Sequence, residues 1–514
     1  MRIFHVFHTF ILIISSAVVL GASPKENSEF NGILTSDVLI SWGYDSDSTS
    51  MLLGSKEIES IQIDAFSSFK NLEYLDLSYN LISQIKRGSF NGLDSLKHLD
   101  LIYNNISLIE NEAFSELRNL KELQLGFNKI EAINSFMFRG LSTLLNLKLI
   151  SNQIQSIDAY SFSDLENLES LHLANNKISD INENALNGLK NLKFLGLSWN
   201  ILNKIDDFSF NDLENLNVFE LSFNQLQKIG ANTFKGLKSL EDFNMVFNSI
   251  ISIEGNSFCD SKELLFLRMG YNSIERIDGE TFNCLDQLIH LDLSFNKIGE
   301  NLDSNAFGVM NNLEHLNLKR NLISLNDANN SLFNLKLVQY LDLSFNRIEF
   351  VDSLIFRKMT KLRFLDLSSC NIEYIEDYAF ENLTSLELLG LDNNRISIIE
   401  PNMLFGLIGL QSLYLSNNQI ELIHSEIFKS LSNLRSLGLS NNKISFIGKF
   451  EFRNLNNLFQ IKLDGNNLEY LDTNLVQGCF NLIQLCLKDN FFEGHVFLNL
   501  NGLTYLKEDE ILSC

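Results

Sequence analysis

Five ring side chains recur at steps of 24 or 25 residues: Phe266, His290, His315, Tyr340 and Phe364. Two residues after each stands Arg268, Asp292, Asn317, Asp342 or Asp366. If the fold brings equal positions of this period together, they form an aromatic stripe beside a polar, largely acidic one. Large rigid rings supply contact area and polar neighbours set orientation, which is what a protein-binding surface needs. The plainer outcome is that the rings pack on one another. His290, His315 and Asp292 would be neighbours, but a metal needs three or more ligands converging on a point, and side chains on a flat sheet run parallel. Metal binding is therefore not expected. A pH-sensitive contact is the weaker use of the trio, since histidine titrates near neutrality. The chain contains no G-x-S-x-G, no H-E-x-x-H, no phosphate-binding glycine loop and no Cys/His zinc spacing. Paired carboxylates carry little signal in so acidic a chain. No enzyme and no cofactor are implied.

The element that must position these residues is L-x-x-L-x-L-x-x-N. It reads LEYLDLSYN at Leu72–Asn80, LKHLDLIYN at Leu96–Asn104 and LKELQLGFN at Leu120–Asn128. The closing Asn returns every 24 residues from Asn80 to Asn296, then at Asn321 and Asn346, then every 24 residues to Asn490, with Cys370 in one place. The alternating leucines describe a short strand with one buried face. One such strand cannot hide its leucines alone; stacked turns bury them in a continuous core with the strands in parallel. Each closing Asn can bond backbone groups that would otherwise be buried unpaired. Ten residues after most of the Asn positions comes a second apolar ladder, from Phe66 to Val476, mostly Phe, read as a spine beneath the outer side. Nine further aromatics precede the Asn: Tyr79, Tyr103, Phe127, Trp199, Phe223, Phe247, Tyr271, Phe295 and Phe345. They are read as packing groups along the rim. This period predicts an α/β solenoid of the leucine-rich repeat type, a right-handed superhelix of about 19 turns. Its parallel sheet is concave and its convex side irregular or short-helical.

The expected organisation is a signal peptide at 1–21, an N-terminal flank at 22–50, the repeat array at 51–490 and a C-terminal cap at 491–514. Arg2 followed by the apolar run Phe10–Leu20 fits a secretory leader and is too short to span a bilayer. Val38–Trp42 is expected to form a strand over the open end of the core, and Met51–Ile61 a degenerate first turn with Lys56 in the Asn place. The lengthened turns between Asn296 and Asn346 are expected to bulge on the outer face. A net charge of −24, or −25 once Arg2 leaves with the leader, disfavours nucleic acid and anionic membrane. Cys259 and Cys284 fall one place out of register in adjacent turns, within disulfide reach at strand spacing. Cys370 is expected as a buried thiol. Cys479, Cys486 and Cys514 leave one further pairing open. Sequons at Asn105, Asn329 and Asn382 are candidate glycan sites.

L-x-x-L-x-L-x-x-N-x-I-x-x-I with a following Phe, as at Leu72–Phe90, closely resembles the animal extracellular leucine-rich repeat. The arrays of Toll-type ectodomains, chaoptin-like adhesion proteins, Slit and the acid-labile subunit are similar. The resemblance covers about residues 51–490 and implies protein–protein recognition without naming binding residues. The chain departs from it in lacking cysteine-rich caps: residues 22–50 hold no Cys, and no N-P-W-x-C-x-C closes the array. The expectation is a secreted, non-catalytic scaffold in the extracellular space that recognises a protein or glycoprotein ligand on its concave face, in innate immune or regulatory recognition. A cell-surface location is the alternative, by association or if the chain continues past Cys514. Alternative roles are a matrix or cell-adhesion component and a secreted enzyme inhibitor. Self-association as a homodimer, through an edge or the concave patch, is an accompanying expectation; membrane insertion is not.

Overall fold

The computed structural model describes residues 30–492 except 301, 326–330, 401, 424–425, 450 and 473, and the side chains of 331 and 333. The expected leader, most of the C-terminal segment, Cys514 and the Asn329 position lie outside the described residues. Within them, nineteen three-residue strands form one parallel sheet. Each pairs with the strand one turn away in unshifted register, as in Leu75 with Leu99 and Leu99 with Leu123. The first strand, Ser50–Leu52, and the last, Gln484–Cys486, each pair on one side, so the sheet is an open ladder.

The register follows from burial. The central residue of each strand, mostly Leu, is buried and its two neighbours sit on the other face, as in Tyr74-Leu75-Asp76. A slip by one residue would put every leucine in water. The register also holds through the two 25-residue turns, His290 to His315 to Tyr340. The extra residues are thus absorbed outside the sheet, where Leu302 pairs with Ile277.

Both ladders are present. Asn128 shows the rung: its Nδ2 donates to the carbonyls of Leu101, Leu125 and Gly126 at 3.0, 3.1 and 3.1 Å, and its Oδ1 accepts from Ile106 N–H at 3.0 Å. The inner spine from Phe66 to Phe452 is buried, with ring centroids 5.7–6.3 Å apart between successive turns. Paired strands sit only about 4.8 Å apart. Turns spaced more widely at the phenylalanines than at the strands must curve, with the sheet on the inner, concave side. A further ladder, not read from the sequence, runs outside: Asn119, Asn167, Asn191 and Asn215 each donate from Nδ2 to a carbonyl one turn back at 2.8 Å.

Residues 38–42 do not form the expected strand. Ser36–Ser41 is a helix capped by Thr35, whose Oγ1 accepts from Val38 N–H at 3.2 Å. A short apolar run does not distinguish strand from helix, and the Thr cap decides it. The helix sets Leu39 against the core, with Val38 and Trp42 beside it. Ile33–Leu34 pairs with Ser60–Ile61.

Cys370 lacks the carbonyl oxygen that the other rungs use. Its Sγ lies 3.1 Å from Leu343 O, and burial pushes its thiol up to about 12, so it is protonated. Cys370→Asn restores an acceptor for Ile348 N–H. It is expected to stabilise the array by about 1 kcal/mol in urea unfolding; a loss of stability would refute this account of the rung. Cys259 and Cys284 are disulfide-bonded, Cα–Cα 5.0 Å. Cys479 is a buried thiol, and Cys486 is disulfide-bonded with its partner outside the described residues.

Candidate functional site

The five rings occupy one column of the concave sheet. Phe266, His290, His315, Tyr340 and Phe364 are register partners in consecutive strands. Their centroids lie 6.3, 5.7, 5.6 and 4.3 Å apart, so each ring touches the next. They pack on one another and yet stay accessible: Phe266 is 37 % exposed, His315 is exposed, and the others are half-buried. Burial holds His290 below the usual imidazole range, so it is neutral at physiological pH. Tyr340 is pushed up to about 12, by burial first and then by Asp342, Asp366 and Asp292, so it remains a phenol able to donate. Among the described residues, no three His, Cys, Asp or Glu side chains converge as a metal site.

The polar column is less uniform than its sequence. Arg268 is tied to Asp242 through two bonds of 2.6 and 3.1 Å and leans over the Phe266 ring. Asp292, Asn317, Asp342 and Asp366 each accept the backbone N–H two residues on, at 2.9–3.1 Å, which closes the end of each strand. Asp342 goes further. It is only 5 % exposed, takes the Ser344 hydroxyl at 2.6 Å and lies 3.7 Å from Lys319 Nζ. It is therefore spent inside the fold and offers little to a ligand. Asp292 and Asp366 are half-buried.

The rim aromatics form a second column in parallel with the first. Trp199, Phe223, Phe247, Tyr271 and Phe295 stack with centroids 4.0–4.5 Å apart and planes within 16°. Arg320 continues the stack, 5.3 Å from the Phe295 ring and 4.4 Å from Phe345. Tyr79, Tyr103 and Phe127 make a shorter stack near the start. All lie at positive φ of 51–59°. That backbone is unfavourable for bulky residues, and ring stacking offsets it. Trp199 is 52 % exposed. The sequence carried a usable signal: the same register position holds Asn175, Asn393, Asn417, Asn441 and Gly465, residues suited to left-handed backbone.

A third group was not anticipated. On the same face near the start, His98 and Lys148 both reach Glu122, at 3.3 and 2.7 Å. Beside them Asp100 is pushed up to about 6, by burial first and also by Asp76 and Glu122. A carboxyl raised in the folded state costs nothing below the unfolded carboxylate range and opposes folding as pH rises through about 6. Asp100→Asn keeps the acceptor for Ile102 N–H. It is expected to raise stability by about 2 kcal/mol at pH 8 and to change nothing near pH 4. Equal effects at both pH values in thermal unfolding would contradict this.

Of the sequons, Asn105 and Asn382 are half-buried, each followed by a buried core residue, Ile106 or Leu383. Asn329 lies outside the described residues.

The chain belongs to the leucine-rich repeat family. The Leucine rich repeat family matches residues 49–106, 101–154, 244–298, 360–420 and 408–468, together more than half the chain. The BspA type Leucine rich repeat region (6 copies) matches residues 131–265. No curated protein sequence matches. Among solved structures, an LRR protein of Leptospira interrogans is similar at 25 % identity and a TM-score of 0.60, over 76 % of this chain and 96 % of that one. The Drosophila Toll–Spatzle complex is similar in fold at a TM-score of 0.67 and 21 % identity, over 89 % of this chain and 59 % of that one. The TLR13–ssRNA13 complex aligns at a TM-score of 0.43 and 22 % identity, over 88 % of this chain and 92 % of that one. Among the described residues, no helix is long and apolar enough to cross a membrane.

Proposed function

We propose that this repeat array is a secreted, non-catalytic recognition scaffold that binds a protein or glycoprotein ligand on its concave face, in innate immune or regulatory recognition. The observation that carries the reading is the half-exposed column of five rings, Phe266 to Phe364, stacked in register across consecutive strands. Stacking fixes the rings before a ligand arrives, so little side-chain entropy is lost on binding. The core beneath is closed by leucines that contribute nothing to recognition, and the outward columns vary without harming it. Secretion is supported by the leader-like residues 1–21 and by the Cys259–Cys284 disulfide, a bond that persists in oxidising compartments.

The test is affinity capture from extracellular fluid with purified residues 22–514, with bound proteins identified by mass spectrometry. A small, specific set of partners supports a soluble recognition factor. Recovery of insoluble matrix proteins, or of the chain itself, would move the role to adhesion or assembly. Dose-dependent inhibition of a captured hydrolase would make it an inhibitor.

A further inference from the structure

Over four shared turns, those closing at Asn272 to Asn346, two walls run side by side with a polar strip between them. One wall is Phe266 to Phe364; the other is Phe247, Tyr271, Phe295, Arg320 and Phe345. The strip between is floored by the small residues Gly270, Ser294, Ser344 and Ser368, with Lys319 in the central turn. In the rim wall the ring faces are spent on one another, Phe247 on Tyr271 at 4.2 Å and Tyr271 on Phe295 at 4.1 Å. Such a wall presents ring edges. It cannot stack a base or a sugar ring, both of which need an open aromatic face.

The charges of the strip are lopsided once internal pairing is counted. Arg268 is held by Asp242, and Arg320 lies between two rings. Lys319 sits 3.7 Å from Asp342 and 5.4 Å from the Phe345 ring. The cations are thus engaged. Asp292, Asp366 and Asp392 each accept a backbone N–H, are half-buried, and have no cation paired with them among the described residues. Burial, together with Asp342 beside Asp366 and Asp366 beside Asp392, raises both carboxyls, so a cation brought to the strip would relieve them.

Resting on the concave-face reading above, we infer that the aromatic-walled strip takes an extended lysine- or arginine-rich polypeptide segment laid along the solenoid axis. Five turns at strand spacing give a track of about 24 Å, the length of roughly seven extended residues. Cationic head groups meet Asp292, Asp366 and Asp392, while their aliphatic stems lie on the ring edges and on Tyr340 and Phe364. Nucleic acid is disfavoured by the net charge of −24.

The test uses fluorescence anisotropy with residues 22–514 and labelled peptides of about eight residues, alternating Lys-Ser, Gln-Ser or Glu-Ser. The Lys-Ser peptide is expected to bind at least about tenfold more tightly than Gln-Ser, and to weaken in about 0.5 M salt. Asp292→Asn with Asp366→Asn keeps both backbone acceptors and is expected to cost about tenfold. The same two-charge change at Asp76 and Asp100 is expected to cost little. Equal loss in the two double variants would reduce the effect to net charge and overturn the inference, as would equal binding of Lys-Ser and Gln-Ser peptides. If captured extracellular partners survive the Asp292/Asp366 change but not loss of the rings, the scaffold reading stands and this inference falls. Partners that survive loss of the rings count against the scaffold reading itself.

Discussion

Asn224→Ala is expected to cost about 3–5 kcal/mol in urea unfolding. The side chain is 8 % exposed and makes four bonds. Its Nδ2 donates to Leu197 O, Leu221 O and Ser222 O at 3.0, 3.1 and 3.3 Å, and its Oδ1 accepts Leu202 N–H at 3.0 Å. Alanine removes all four and strands the Leu202 amide in the interior, while the three carbonyls keep Asn200, Asn248 and Trp199 N–H as donors. The stranded amide costs about 1–3 kcal/mol and each lost bond about 1 kcal/mol. Gln225, one residue on, is exposed, and Gln225→Ala is expected to stay within about 0.5 kcal/mol of wild type. Turns interact mainly with their neighbours, so the Asn224 defect is also expected to broaden the transition. Equal midpoints for the two variants would show that the ladder is not what holds the turns together.

The second large effect is on binding. Replacing Phe266, His315, Tyr340 and Phe364 together by Ser removes four of the five rings of the concave column. If even two act as hot spots worth about 2 kcal/mol each, affinity falls by roughly a thousandfold. The fold is expected to survive. The four side chains point away from the core, and the leucines beside them, Leu267, Leu316, Leu341 and Leu365, remain fully buried. Unfolding midpoints within a few degrees of wild type, with binding lost, are the expected pair of results. Full affinity in the folded variant would place the site elsewhere.

Much of this architecture was legible in the sequence because a solenoid writes each contact at a fixed interval. A period of 24 puts Asn104 beside Asn128 and Phe90 beside Phe114 with no long-range guesswork. The same arithmetic placed Cys259 near Cys284 and set five rings in one column. What it did not reveal depends on local geometry. Asp342 and Asp366 look alike in the sequence, but Asp342 is buried with Lys319 3.7 Å away, whereas Asp366 is half-buried. Thr35 turned an apolar pentad into a capped helix. The rim aromatics read as ordinary packing, whereas their left-handed backbone, legible only from the Asn and Gly sharing their register, swings them into an exposed stack. Asp100 gains its raised pKa from burial, which no single repeat shows, and then from Asp76, one turn away.

The most direct test of the recognition site is paired capture from extracellular fluid, with residues 22–514 and the four-serine variant run side by side. The wild-type chain is expected to retain a discrete set of extracellular proteins that the folded variant does not. Retention of the same set by both would contradict a concave aromatic site.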